Sequence, residues 1–400
     1  MKAFQLQSKT TIMNSEDGET TMKLSIGLMS GTSLDGIDVV LCEIDGSFMD
    51  TSVRVIAQQS YELEPGLVEK IQDTIQLKTN VRDITSLNFE LGYAFSDAIN
   101  QFLKTQNLQP SDIDFIASHG QTIYHIPTTS KDHVKSTLQL GFGSIIAQLT
   151  GITTVSNFRV ADMVVGGQGA PLVPYAEYVL FSQKDKTIAM HNLGGISNLT
   201  LMPKGQDINQ VIAFDTGPAN MMIDYAMKKL FNEPYDRNGY HASLGKLIEP
   251  LYETLMAHPY LKKDYPKSTG RELFGDDYTA HLIQNYSHED TNDIVHTLSM
   301  FTVNSIIESY REMLKTQPID EIIFSGGGAY NPFIIEHIRK GLYPIKVSTL
   351  EDHGMDSKCK EAVAFVILGN ETLNRHFNHI LSATGATKLV VLGDISPVIK

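Results

Sequence analysis

Leu24-Ser25-Ile26-Gly27-Leu28-Met29, Gly31-Thr32-Ser33-Leu34-Asp35-Gly36 and Ile37-Asp38-Val39-Val40-Leu41-Cys42-Glu43-Ile44 follow one another almost without a break. Two apolar, β-rich runs around a short glycine turn predict a hairpin. A backbone without Cβ atoms can approach phosphates closely and present several N–H groups to them. The turn is not a Walker loop, because no Gly-Lys-Ser/Thr signature occurs in it. Two further turns of this kind follow apolar runs. Asp215-Thr216-Gly217-Pro218 comes after Val211 to Phe214, and Ser325-Gly326-Gly327-Gly328-Ala329-Tyr330-Asn331 comes after Glu321-Ile322-Ile323-Phe324. Three such turns in this order predict two lobes that close on a nucleotide.

Other segments fill in an alternation of strands and helices, so the expected class is α/β. Leu67 to Leu103 has helical spacing, and Ile113-Asp114-Phe115-Ile116-Ala117-Ser118 reads as a strand that ends at His119-Gly120-Gln121-Thr122. Lys186 to Leu193 is a strand into Gly194-Gly195. Ala219 to Leu230, Asn292 to Thr316 and Lys358 to Leu373 read as helices. A hairpin with a glycine turn in each half suggests a duplicated architecture. The stretch Gly239 to Gly275, rich in Tyr, Pro and Lys, reads as an insertion or lid outside the core.

A chain of 400 residues is long enough for two domains, each with its own core. The net charge of −14 argues against nonspecific binding to nucleic acid or an anionic membrane. No apolar run is long enough to span a bilayer. Cys42 and Cys359 are the two cysteines, far apart and in no metal-ligand spacing, which points to a reducing cytoplasm. Residues 1–22 are polar, lack the apolar core of a signal peptide and read as a disordered extension.

Several residues have two readings. Asp35 is either a turn-forming aspartate or a ligand, through water, of the Mg²⁺ that accompanies ATP. Asp215 either belongs to a phosphate turn or caps the next helix. Asp162 precedes the glycine-dense stretch Gly166-Gly167-Gln168-Gly169-Ala170-Pro171. There it is either a general base, taking a proton from water or a hydroxyl, or the ion-pair partner of Arg159. His119 is a hydrogen-bonded structural or ligand-contact residue, since His125 would complete only a poor zinc site. Glu361 reads as a solvated helix residue.

Gly27 to Asp38, Ser118-His119-Gly120-Gln121-Thr122, Phe158-Arg159-Val160-Ala161-Asp162, Gly166 to Pro174, Asn192 to Asn198, Phe214 to Pro218 and Gly326 to Asn331 together resemble one family. It is the anhydro-N-acetylmuramic acid kinases, and the resemblance runs from about Lys23 to the C-terminus. It implies a two-domain sugar kinase/Hsp70/actin-like (ribonuclease H-like) fold with an interdomain ATP cleft. Domain I would span 23–150, completed by about 360–400. Domain II would span 151–359 and hold the base, the second phosphate turn and the adenosine turn.

The implied activity is ATP-dependent conversion of 1,6-anhydro-N-acetylmuramic acid to N-acetylmuramic acid 6-phosphate, a step of cell-wall peptidoglycan recycling, by a cytoplasmic homodimer. Asp162 matches the family's base. ATP with Mg²⁺ would be held by Gly31, Thr32, Ser33, Leu34, Asp35, Gly36, Ile37 and Asp38. Further nucleotide contacts would come from Asp215, Thr216, Gly217, Gly326, Gly327, Gly328 and Asn331. The sugar would meet His119, Gln121, Thr122, Arg159, Gly167, Gln168 and Gly169. Asn157 and Ala219 depart from the family's usual aspartate and glycine. Two other readings are another sugar or small-acid kinase, which leaves Phe158 to Pro174 unexplained, and an ATPase module that moves a partner, which leaves Asp162 without a purpose.

Overall fold

The computed structural model describes residues 22–399 apart from Thr32, Ser33 and Asp35. The extension expected over 1–22 lies outside them, except for Met22. The chain forms two compact units. One takes the chain up to Leu180 and again from His353, and the other is Phe181–Asp352.

In chain order the first unit contributes β1 (Lys23–Ser30), β2 (Ile37–Asp45), β3 (Ser52–Tyr61), β4 (Phe115–Ile126), β5 (Ser136–Leu140) and β6 (Thr154–Ser156). The second contributes β7 (Ile188–Leu193), β8 (Ile196–Met202), β9 (Ile212–Pro218), β10 (Glu321–Ser325) and β11 (Lys346–Thr349). The chain then returns to the first unit for β12 (Asp394–Ser396).

The first sheet runs β12-β6-β4-β1-β2-β3, with β5 paired to β4. Strands β1, β2 and β3 form an antiparallel meander, and β4 joins β1 in parallel, as β6 joins β4. The second sheet runs β11-β10-β7-β8-β9. It repeats the plan: β7, β8 and β9 form a meander, and β10 and β11 add in parallel. The duplication suggested by the glycine hairpins is therefore present as strand order.

Burial of the strands explains their composition. β1 is central and carries four consecutive buried residues, Ser25 to Leu28, as a strand covered on both faces should. The helix Val81–Gln106 buries Leu87, Leu91, Phe95, Ile99, Phe102 and Leu103, a stripe at helical spacing that joins β1, β2 and β4 residues in one core. Asn80 caps it, accepting from the Arg82 and Asp83 N–H groups, and Asn107 ends it in the left-handed region. The helix Lys360–Leu373 is buried along most of its length. It lies so close to β1 that a Cβ on Gly27 would come 2.2 Å from the Ala362 carbonyl oxygen.

Three expectations change. The first unit extends to Leu180, beyond the expected boundary at 150, because β6 pairs with β4 and β12 and keeps the following segment with the first sheet. Asp162 thus belongs to the first unit. Gly239 to Gly275 is not a lid outside the core: Ala242, Ile248, Leu251, Leu255, Tyr260 and Phe274 are buried in the second unit's core, leaving the polar residues to face outward. Asp215-Thr216-Gly217-Pro218 is the last part of β9 and not a turn after it, with a bulge opposite Ser197 and Asn198.

The close approach at Gly27 has a measurable cost. Gly27→Ala should destabilise the protein by about 1–3 kcal/mol, the usual cost of overpacking. Urea unfolding of both proteins checks this, and an unchanged midpoint would contradict the packing described.

Candidate active site

Asp162 stands in the first turn of the short helix Val160–Val164 and has no exposed surface. Its Oδ1 accepts hydrogen bonds from His379 Nδ1 and from the Thr384 hydroxyl, both at 2.7 Å. Its Oδ2 accepts from the Gly169 N–H at 2.7 Å. The chain reaches that position by folding tightly over the carboxylate. The Gly167 N–H donates to the Asp162 carbonyl, and a Cβ on Gly167 would sit 2.1 Å from Oδ2. No other residue type fits there. Gly169 also requires glycine, with φ at +72° and the Met163 side chain against it.

Burial works to raise the Asp162 pKa, but the hydrogen bonds from His379, Thr384 and Gly169 outweigh it and hold the carboxyl below its ordinary value. The group is a carboxylate at neutral pH. Of its roughly four acceptor positions, the one without a donor among the described residues is on Oδ2.

Arg159 is not hydrogen-bonded to Asp162. Its guanidinium donates to His119 Nε2, from Nη2 at 2.8 Å and Nε at 3.2 Å, and to the Gly169 carbonyl from Nη1 at 2.6 Å. Burial lowers the Arg159 pKa, and the charges of Glu361 and then Asp162 oppose that shift by favouring the charged guanidinium. Glu361 itself is exposed. His119 donates from Nδ1 to the Gly120 carbonyl at 2.8 Å. Burial first, and the Arg159 charge second, push its pKa down to about 3. It is a neutral acceptor for Arg159. Lys135 donates to the Gly166 and Gly167 carbonyls at 2.6 and 2.9 Å. The glycine loop is therefore clamped by Arg159 and Lys135 through its carbonyls and by Asp162 through an N–H.

The structure brings together Asp162, Arg159, His119, Gly167, Gln168 and Gly169. The Gln168 N–H donates to the Thr384 carbonyl. Gln121 serves a different purpose: buried, it accepts from the Ser30 hydroxyl at 2.7 Å and donates to the Gly31 carbonyl at 3.4 Å, bracing the first glycine turn. Thr122 accepts from Gln139. Nothing in the sequence singles out His379, Thr384 and Lys135. No local spacing marks them, since all three are joined to the site by tertiary structure.

In the first glycine turn, the Leu34 N–H donates to the Gly31 carbonyl, and Gly36 has φ at +152° with Tyr61 backbone where a side chain would stand. Ile37 begins β2, and the Asp38 carboxylate accepts from Ser60. Thr32, Ser33 and Asp35 lie outside the described residues.

In the second unit, Asp215 does not cap the helix Asn220–Phe231, whose first residue follows Ala219. Its carboxylate accepts from Ser268 and from the Thr269 N–H, and burial raises its pKa. The Thr216 hydroxyl is buried and turned inward, ending a chain of hydrogen bonds through Ser197 and His191 to Tyr310. Gly217, at φ +153°, faces Ser305. Gly326 and Gly328 pack against Asn192, Leu193 and Asn220, where side chains would collide, and Gly327 faces Asn220. The β7–β8 turn, the start of the helix Asn220–Phe231 and the Gly326 turn thus meet within this unit. Asn331 caps the helix Pro332–Gly341 through its side-chain oxygen.

Among known proteins, the family model described as anhydro-N-acetylmuramic acid kinase matches residues 23–398. The chain belongs to this family. The anhydro-N-acetylmuramic acid kinase of Francisella tularensis subsp. novicida (strain U112) is 49% identical over 94% of this chain and 98% of its own length. Those of Clostridioides difficile (strain 630) and Bacillus thuringiensis subsp. konkukian (strain 97-27) are 47% and 44% identical, each over 93% of this chain and 98% of their own. As a member of the anhydro-N-acetylmuramic acid kinase family, the chain is an enzyme of the kinase class. Solved structures align far more loosely. Component A of the Acidaminococcus fermentans (R)-2-hydroxyglutaryl-CoA dehydratase gives a TM-score of 0.44 at 10% identity, covering 86% of this chain and 96% of its own.

His119 supplies a pH test. Its folded pKa lies below the ordinary 6.5, so the unfolded chain binds the extra proton first as pH falls. Stability contributed by the neutral histidine is complete above 6.5 and is lost as pH drops toward 3. The slope from this one group is at most about 1.4 kcal/mol per pH unit. His119→Gln should flatten the decline in denaturant-unfolding free energy over that window. An identical slope in both proteins would contradict a buried neutral His119.

Proposed function

We propose that this enzyme uses ATP to convert 1,6-anhydro-N-acetylmuramic acid and water to N-acetylmuramic acid 6-phosphate and ADP, in the cytoplasm, as a homodimer, within peptidoglycan recycling. The observation that carries the reading is the Asp162 carboxylate, buried yet ionised, beneath a loop of glycines beside Arg159 and His119.

The residues suit the reaction's proton inventory. Water must lose a proton as it attacks C1, and Asp162 takes it at Oδ2, the oxygen with the open acceptor position. The C1–O6 bond breaks, and O6 attacks the γ-phosphorus as ADP leaves. The leaving oxygen of one displacement is the nucleophile of the other, so placement of the sugar contributes heavily. With Asp162 buried, water reaching Oδ2 would have to displace the Gly166–Gly169 loop from the Arg159 and Lys135 contacts on its carbonyls.

Gly31 to Asp38 would hold the phosphates; in the second unit Asp215, Thr216 and Gly217 are the further phosphate candidates and Gly326 to Gly328 the adenosine turn. The buried Thr216 hydroxyl restricts that residue's part to its backbone. Mg²⁺ would sit on the phosphates with Asp35 reaching it through water, and the nearby Asp38 carboxylate adds oxygen chemistry suited to a hard cation. The ion supplies neutralisation of phosphate charge.

Asp162→Asn tests the proposal. The amide keeps the shape, but its NH₂ must face one of the donors that now point at the carboxylate, so the melting temperature should fall. Turnover per folded molecule should fall by about 10²–10⁴, with ATP affinity little changed. Near-normal turnover per folded molecule would rule the mechanism out.

A further inference from the structure

His379 lies in the C-terminal segment, 217 residues after Asp162, between the helix Lys360–Leu373 and the short helix Leu381–Thr384. Neither its side chain nor that of Asp162 has exposed surface. Both ring nitrogens are engaged. Nδ1 meets Asp162 Oδ1 at 2.7 Å, and Nε2 meets the Val390 backbone N–H at 3.0 Å.

A backbone N–H can only donate, so Nε2 must keep its lone pair. The ring proton is therefore on Nδ1, and the imidazole is neutral. Protonating Nε2 would set two donors against each other at 3.0 Å inside the protein.

We infer that His379 is the positioning residue for Asp162: locked by Val390 as a neutral imidazole with its proton on Nδ1, it fixes Oδ1 and leaves Oδ2 as the oxygen that takes the proton. This rests on Asp162 being the base. The arrangement has a chemical logic. A hydrogen bond from a neutral ring orients a carboxylate without placing a full positive charge on it. An imidazolium would orient it equally well but would weaken it as a base. Thr384 adds a second neutral donor to the same oxygen. Among the described residues, Oδ2 receives one backbone N–H and nothing else.

The other charged or titratable groups around the carboxylate stand further back. Arg159 is engaged with His119 and Gly169, Lys135 with the Gly166 and Gly167 carbonyls, and Glu361 acts on Arg159. None is hydrogen-bonded to Asp162. Among the described residues, His379 is the one titratable group hydrogen-bonded to it.

Three proteins and one spectrum test this. His379→Leu removes the donor at similar bulk, while Asn in its place can put an N–H where Nδ1 stood. In His379→Leu the acid limb of the kcat–pH profile should move up by about one to two pH units, the scale of one lost hydrogen bond to a charged group. The KM for ATP should hold. His379→Asn should return the limb toward the wild-type position. An unmoved limb in folded His379→Leu overturns the inference, and so does failure of His379→Asn to restore it.

The wild-type protein provides a readout independent of folding in the variants. ¹⁵N spectra of labelled histidine at neutral pH should show His379 protonated at Nδ1 and bare at Nε2. The opposite tautomer, or an imidazolium, overturns the inference. Asp162→Asn keeps the two readings separate. If it turns over normally, the base assignment fails whatever His379 does. If it is inactive while His379→Leu keeps the wild-type limb, only the role of His379 fails.

Discussion

A carboxylate with no exposed surface must be held by donors, because burying an unpaired charge costs several kcal/mol or more. At Asp162 two of the three donors arrive from His379 and Thr384, more than two hundred residues along the chain. The architecture around the site follows from that requirement. The chain leaves the first unit at Leu180, builds the second, and returns at His353. The returning helix Lys360–Leu373 presses on β1 at Gly27, and β12 closes the sheet edge against β6. Between those two anchors the His379 and Thr384 side chains are set against Asp162. The glycine loop is fixed from the other side, by Arg159 and Lys135 on its carbonyls.

The two units share a plan of a three-stranded meander followed by two parallel strands. The glycine turns fall at matching points. Gly31 to Gly36 joins the first two strands of one meander, and Gly194-Gly195 joins the first two of the other. In the second unit that turn packs with Gly326 and Gly328 at the end of β10, where absent side chains let three backbones meet. The corresponding place on β4 of the first unit carries His119, Gly120 and Gln121, which brace Arg159 and the first glycine turn. A common scaffold has thus been given different work in the two units.

Features set by short-range chemistry were legible in the sequence. The β1–β2 hairpin, the strand before Ser325 and the glycine crowding beside Asp162 each follow from composition within about a dozen residues. Features set by distant partners were not. The unit boundary is not legible in the sequence because β6 is three residues long and gains its identity from β4 and β12. Asp215 to Pro218 looked like a turn because of its glycine and proline, yet pairing with β8 keeps it extended. Gly239 to Gly275 looked peripheral by composition, while six of its apolar side chains are buried in the core. At Asp162 the sequence alone allows an ion pair with Arg159 beside the base reading, and only the fold shows the guanidinium on His119 and Gly169. His379 carried no local signal, because its significance lies in two hydrogen bonds that only the fold creates.

The fold stabilises an ionised carboxylate in a buried place. Titration of the Asp162 carboxyl carbon by ¹³C NMR, with the resonance assigned by its loss in Asp162→Asn, measures this directly. The account predicts a group that stays ionised from neutral pH downward and titrates below the ordinary aspartate value of 3.8. A midpoint above that value, or a protonated carboxyl at neutral pH, would show that burial prevails over the donors and would contradict it.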